Sequence, residues 1–98
     1  MIVVATLKIK SGSEATFEKA AREMIDYVKQ NEPDTLTYVL HRSTSDPTEF
    51  LFYEVYRDQA AMAAHSSSEA MQKLFAALGG VVDGRPTISM FEEVAGKR

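Results

Sequence analysis

Residues 50–65 read Phe50-Leu-Phe-Tyr-Glu54-Val-Tyr56-Arg-Asp58-Gln-Ala-Ala-Met-Ala-Ala-His65, and they pass from an aromatic strand into a helix. Glu54 alone interrupts the apolar run, and His65 alone marks the end of the helical run. A strand this apolar is expected to be buried on both faces. A buried carboxylate costs several kcal/mol unless it is paired or protonated. Glu54 therefore needs a partner, and His65 is the nearest candidate downstream. The alternative is a Glu54 at a wet edge and a His65 in solvent. Side chains alternate along a strand, so Glu54 shares a face with Phe50, Phe52 and Tyr56. On the helix, His65 follows Met62 by three residues and Ala61 by four, so it belongs to their stripe. If that stripe packs on the sheet, Glu54 and His65 line one cavity, in contact or bridged by one water.

Outward from this stretch, Glu49–Tyr56 is the third strand and residues 36–43 the second. Ser45-Asp46-Pro47-Thr48 between them is turn chemistry, so the two strands form a hairpin. Residues 2–9 make a first strand, β-branched and apolar up to Lys8. Ser11 with Glu14 matches a capping box, with Ser13 as the other candidate cap. The helix after it carries Phe17, Ala20, Ala21, Met24, Ile25 and Val28 at steps of three and four. It ends near Asn31, because Pro33 disfavours helix at Glu32. Asp58 caps a helix through Ala64. The serines at 66, 67 and 68 predict a kink and a second cap, before a helix burying Met71, Leu74, Phe75 and Leu78. Gly79-Gly80 stops it, Val81 and Val82 form a short extended piece, and Asp83-Gly84 turns the chain. Residues 86–94 are the last strand, and 96–98 a tail.

The order strand, helix, strand, strand, helix, strand predicts an α+β fold. It is a ferredoxin-like antiparallel sheet with helices on one face, strands one and three central. All 98 residues fit one domain. With hydrophobic residues at 45%, the chain can build a core. A subunit this short buries only about 60–65% of its unfolded surface. The uncovered sheet face would expose a large apolar patch, and a second copy of the sheet is the simplest cover.

A net charge of −3 and scattered basic residues argue against nucleic acid. With no cysteine, the chain has no disulfide, thiolate nucleophile or cysteine-based metal site, which fits the cytoplasm. The apolar start is too short for a membrane span and lacks the charged start of a signal peptide. The two histidines, His41 and His65, have no metal-ligand spacing, so no metal is expected. His41 sits beside Arg42 on an edge strand and reads as solvent-facing.

The motifs Glu32-Pro-x-Thr-Leu-x-Tyr38, Leu40-His41-Arg42-Ser43 with Asp46-Pro47, and Phe50 to Asp58 with Ala60-Ala61 and His65 resemble a known family. It is that of the antibiotic-biosynthesis monooxygenase domains, in the dimeric α+β barrel superfamily. The resemblance spans residues 2–94. It implies a homodimer whose sheets pack into a barrel, with a pocket between helices and sheet in each subunit. Some members oxygenate quinols or polyketide anthrones without metal, flavin or haem; others degrade haem, and one branch isomerises a phosphorylated signalling molecule. Glu54 and His65 fall on the family's recurring glutamate and histidine. Asp34 stands where the family often has Gly. Trp is absent and Phe75 takes the place of the haem-ligating histidine, so haem degradation is not expected.

These observations give a cofactor-free oxygenase of a quinol, phenolic or polyketide-like aromatic, with dioxygen as co-substrate. His65 is the candidate base and Glu54 its orienting acid. Tyr38, Phe52, Tyr56 and Phe75 are the aromatic substrate-binding walls. Two alternatives are a non-catalytic, stress-related or ligand-binding dimer, in which the aromatics are core and the Glu–His pair locks helix to sheet, and an isomerase. The isomerase lacks a Gly-rich loop or clustered basic residues for phosphate. An open cavity reaching His65 favours the enzyme; one filled by Phe52, Met71 and Phe75 favours the passive dimer.

Overall fold

The computed structural model describes residues 1–98. The elements run β1 (Ile2–Lys8), α1 (Glu14–Asn31), β2 (Thr35–Arg42), β3 (Glu49–Tyr56), α2 (Gln59–Ser66), α3 (Glu69–Leu78) and β4 (Thr87–Phe91). The sheet order is β2-β3-β1-β4, and every neighbouring pair is antiparallel. This is the expected α+β ferredoxin-like fold, with β1 and β3 in the centre.

One sheet face meets the helices. Phe17, Ala21, Met24 and Val28 of α1 are buried in a cluster with Leu7, Ile9, Phe50 and Phe52. The Phe17 and Phe50 rings lie 4.7 Å apart between centroids. Each such side chain, fully buried, stabilises by about 1.5–3 kcal/mol. The opposite face is only partly covered within one chain. Ile2, Val4 and Val55 there are half-buried, while Val39, Tyr53 and Phe91 are exposed. Two-sided burial of β3 is therefore not achieved by this chain alone.

Several boundaries differ from the sequence reading. β1 stops at Lys8, and Ile9 instead bridges Val82, the short extended piece expected there. β2 begins and ends one residue early, at Thr35 and Arg42. β4 spans only Thr87–Phe91, because Phe91 pairs with Ile2 at the end of β1 and no strand remains beyond it. The Ser11 capping box does not form. Gly12, at φ 93°, turns the chain so that Ser13 takes the N-cap position, without a side-chain bond. The Glu14 carboxylate instead accepts from the Gly12 N–H at 2.5 Å.

The remaining punctuation follows the residues. Glu32 is the C-cap of α1, next to Pro33. Asp58 accepts from the Ala61 N–H, and Ser68 accepts from the Met71 N–H, so both helices are capped as read. α2 extends past Ala64 to Ser66 and takes His65 into its last turn. Ser67 allows this by donating its N–H and its hydroxyl to the Ala63 carbonyl. No helix is long and apolar enough to cross a membrane.

Candidate active site

Strand alternation places Phe52, Glu54 and Tyr56 on the helix-facing side of β3, where all three are buried. Tyr38 of β2 is the register partner of Glu54, and so comes from the neighbouring strand onto the same face. Its ring stacks on Phe52 at 5.0 Å and 22°. α2 lays His65 over this group, 2% exposed. The imidazole lies 4.8 Å from the Tyr38 ring and 5.5 Å from the Tyr56 ring, between centroids.

A cavity of about 340 Å³ opens at this point. His65, Glu54, Tyr38, Phe52, Tyr56 and Phe75 all line it. The sequence reading thus named six side chains that the fold brings to one space. Phe75, expected in the buried stripe of α3, is instead half exposed at the cavity margin, and only Leu74 and Leu78 of that helix are buried; the other five site residues are buried. The polar groups gather at the His65 end. Elsewhere the wall is apolar, completed by Met71 of α3 and by Ile88 and Met90 of β4. No lysine or arginine lines the cavity. An apolar wall with a few convergent polar groups is the usual make-up of a small-molecule site.

The hydrogen bonds differ from the expected pairing. Glu54 Oε1 accepts from the Tyr56 hydroxyl at 2.5 Å and makes no direct bond to His65. The carboxylate on His65 is Glu32, whose Oε1 lies 2.8 Å from Nδ1. The Thr35 hydroxyl donates to the same Oε1 at 2.8 Å. His65 Nε2 and Glu32 Oε2 are buried without protein partners. The physical reason for the exchange is reach. Tyr56 sits two residues from Glu54 on the same strand face, so it satisfies that carboxyl locally, while the end of α1 delivers Glu32 to the ring.

Burial raises the Glu54 carboxyl above its ordinary pKa, against the opposing pull of the Tyr56 hydrogen bond and the nearby His65. Burial also pushes the Tyr38 and Tyr56 hydroxyls well up, and in Tyr56 the bond to Glu54 adds to it. Both phenols are therefore neutral donors at physiological pH.

Glu32 entered the sequence reading as the helix end before proline and as the first residue of a family motif, with no role in the site. Nothing in its local sequence reveals the pairing, because its partner His65 is 33 positions away. The β4 wall residues were likewise read as strand and no more. His41 is exposed on the far face, as expected.

The family model for antibiotic biosynthesis monooxygenase matches residues 1–77. Among solved structures, a provisionally named antibiotic biosynthesis monooxygenase from Caulobacter crescentus is 33% identical, with a TM-score of 0.91, covering 96% of this chain and 89% of that one. A crystal structure named antibiotic biosynthesis monooxygenase is 26% identical, with a TM-score of 0.88 and 97% and 100% covered. A provisionally named relative from Nitrosomonas europaea shares the fold at 18% identity, with a TM-score of 0.89 and 95% and 88% covered. No curated protein matches. The matched stretch contains β1 through most of α3, and with it every hydrogen-bonded residue of the site, so this chain belongs to the antibiotic biosynthesis monooxygenase family.

Proposed function

We propose that this protein is a cofactor-independent monooxygenase of a quinol or related phenolic aromatic, working as a homodimer. The observation that carries the reading is the open cavity of about 340 Å³ that reaches His65 and is walled by aromatic side chains. Phe52, Met71 and Phe75 line this space and do not fill it. A phosphorylated substrate would find no basic counter-ion there, which disfavours the isomerase.

The substrate supplies its own electrons. His65 takes the phenolic proton, and the resulting anion gives one electron to dioxygen. The two radicals combine at the ring carbon, and His65 returns its proton to the peroxide. Neutral again, it removes the C–H proton from that carbon as the O–O bond breaks. The leaving hydroxide recovers this proton from His65 as water. One oxygen atom ends as a carbonyl and the other as water, with no external reductant. The apolar walls keep bulk water from the anion. Tyr38, whose hydroxyl has no protein partner, is the neutral donor left to steady its oxygen, because the Tyr56 hydrogen is given to Glu54.

The test is oxygen consumption against quinols and hydroxynaphthalenes with chelator present, comparing wild type with His65→Ala. Turnover is expected in wild type and a fall of about 10²-fold or more in the variant. Equal turnover in the two, or none with any hydroxyarene, would refute the reading.

A further inference from the structure

We propose that Glu32 is the positioning residue for His65, holding the imidazole with its proton on Nδ1 and a bare Nε2 for the substrate hydroxyl. This inference rests on the reading of the cavity as an oxygenase site. It assigns to the end of α1 the role that spacing along the chain had suggested for Glu54.

Glu32 is set before it meets the ring. As the C-cap of α1, it donates its own N–H to the Val28 carbonyl. Its carbonyl accepts from the Thr35 N–H at 3.2 Å, and its Oε1 accepts from the Thr35 hydroxyl at 2.8 Å. Pro33 limits the backbone between them. The carboxylate is thus fixed by the α1–β2 corner, and its side chain is only 12% exposed.

The chemistry of that contact selects the tautomer. An ionised carboxylate oxygen only accepts, so at 2.8 Å the Nδ1 atom must carry the hydrogen. A neutral imidazole has one N–H, which leaves Nε2 with its lone pair. The other tautomer would oppose two lone pairs in a buried site. Turning the ring over would place carbon against Glu32, and the Tyr38 and Tyr56 rings pack close to it, at 4.8 and 5.5 Å between centroids. Nε2 is buried without a protein partner and the ring lines the cavity, so Nε2 is the nitrogen left free for a substrate hydroxyl. When Nε2 takes a proton, Glu32 stabilises the imidazolium through Nδ1. Glu54 serves elsewhere, because its Oε1 is engaged by Tyr56.

The experiment is nitrogen-15 NMR of histidine-labelled full-length protein carrying His41→Gln, so that one ring remains. In its neutral form His65 is expected to show a protonated Nδ1 and an unprotonated Nε2; the reverse overturns the proposal. Glu32→Gln brings an amide that can donate to Nδ1, so the single tautomer should be lost. Its kcat should fall about 10²-fold while KM stays within about threefold. Glu32→Asp, which keeps a carboxylate, should recover part of kcat and the Nδ1–H form. A Glu32→Gln protein with Nδ1–H intact and wild-type kcat also overturns it. If Glu32→Gln does not fold, the wild-type ring and Glu32→Asp still decide. If wild type oxidises no quinol, the oxygenase reading fails by itself, and a tautomer released in Glu32→Gln still upholds the placement of His65.

Discussion

Glu54 illustrates how one buried carboxyl couples site and stability. Burial raises its pKa, so the folded chain keeps the proton over a window in which the unfolded chain has released it. In that window the native state binds more protons, and stability falls as pH rises from the ordinary glutamate range toward the raised value. Above the raised value the loss is complete and constant. Glu54→Gln cannot ionise, yet it retains an oxygen to accept from Tyr56. Denaturant midpoints followed from about pH 4 to about pH 8 should therefore fall less in Glu54→Gln than in wild type. Parallel curves would show that Glu54 does not titrate differently on folding. Tyr56 extends the same logic: its hydroxyl gives the carboxyl a local partner, which releases His65 to pair with Glu32.

Among the elements, α2 carries the most function on the least structure. It has only eight residues, and His65 is its one buried side chain. Isolated helices this short are marginal, so its ends matter. At the N-terminus, Asp58 Oδ1 accepts from the Ala61 N–H at 2.8 Å. At the other end, Ser67 and Ser68 take up the Ala63 and His65 carbonyls. Asp58→Ala is expected to lower stability by about 0.5–2 kcal/mol. It should also loosen the last turn, lowering turnover beyond what the folded fraction explains. Denaturation alongside oxygen consumption tests both, and a variant as stable as wild type would contradict the cap's role. β4 shows the opposite economy: it ends at Phe91 because β1 offers no further partner, yet Ile88 and Met90, both largely exposed, line the open side of the cavity.

For the whole molecule, the unfinished face is the governing fact. The sheet side away from the helices presents Val39, Tyr53 and Phe91 to solvent beside half-buried Ile2, Val4 and Val55. We propose that a second copy covers it, burying more than ~2,000 Å² in total, as in obligate dimers. Sedimentation at micromolar concentration should show twice the 10.9 kDa chain mass. Placing lysine at both Val39 and Tyr53 should shift the population to monomer and lower its stability. A wild type that remains a folded monomer at that concentration would refute the dimer.

How much of this was legible before folding depends on the range of each interaction. Strand alternation and helical spacing are local, so the element order, the sheet topology and the central places of β1 and β3 could be read from residues 2–94. The same periodicities placed Glu54, Phe52 and Tyr56 on one face and His65 on the stripe above it. Caps act within three residues, so Asp58 was equally legible, and the second cap was placed among the serines at 66–68, of which Ser68 takes the role. Glu32 was not, because its meeting with His65 depends on how α1 crosses the sheet and where the Pro33 corner leaves the carboxylate. The Ser11 box failed for a backbone reason, the left-handed turn at Gly12, which side-chain pattern does not report. β4's length was set by its partner strand rather than by its own residues. Which carboxylate holds the histidine is thus a property of packing, since a contact across 33 positions exists only once helix and sheet have docked.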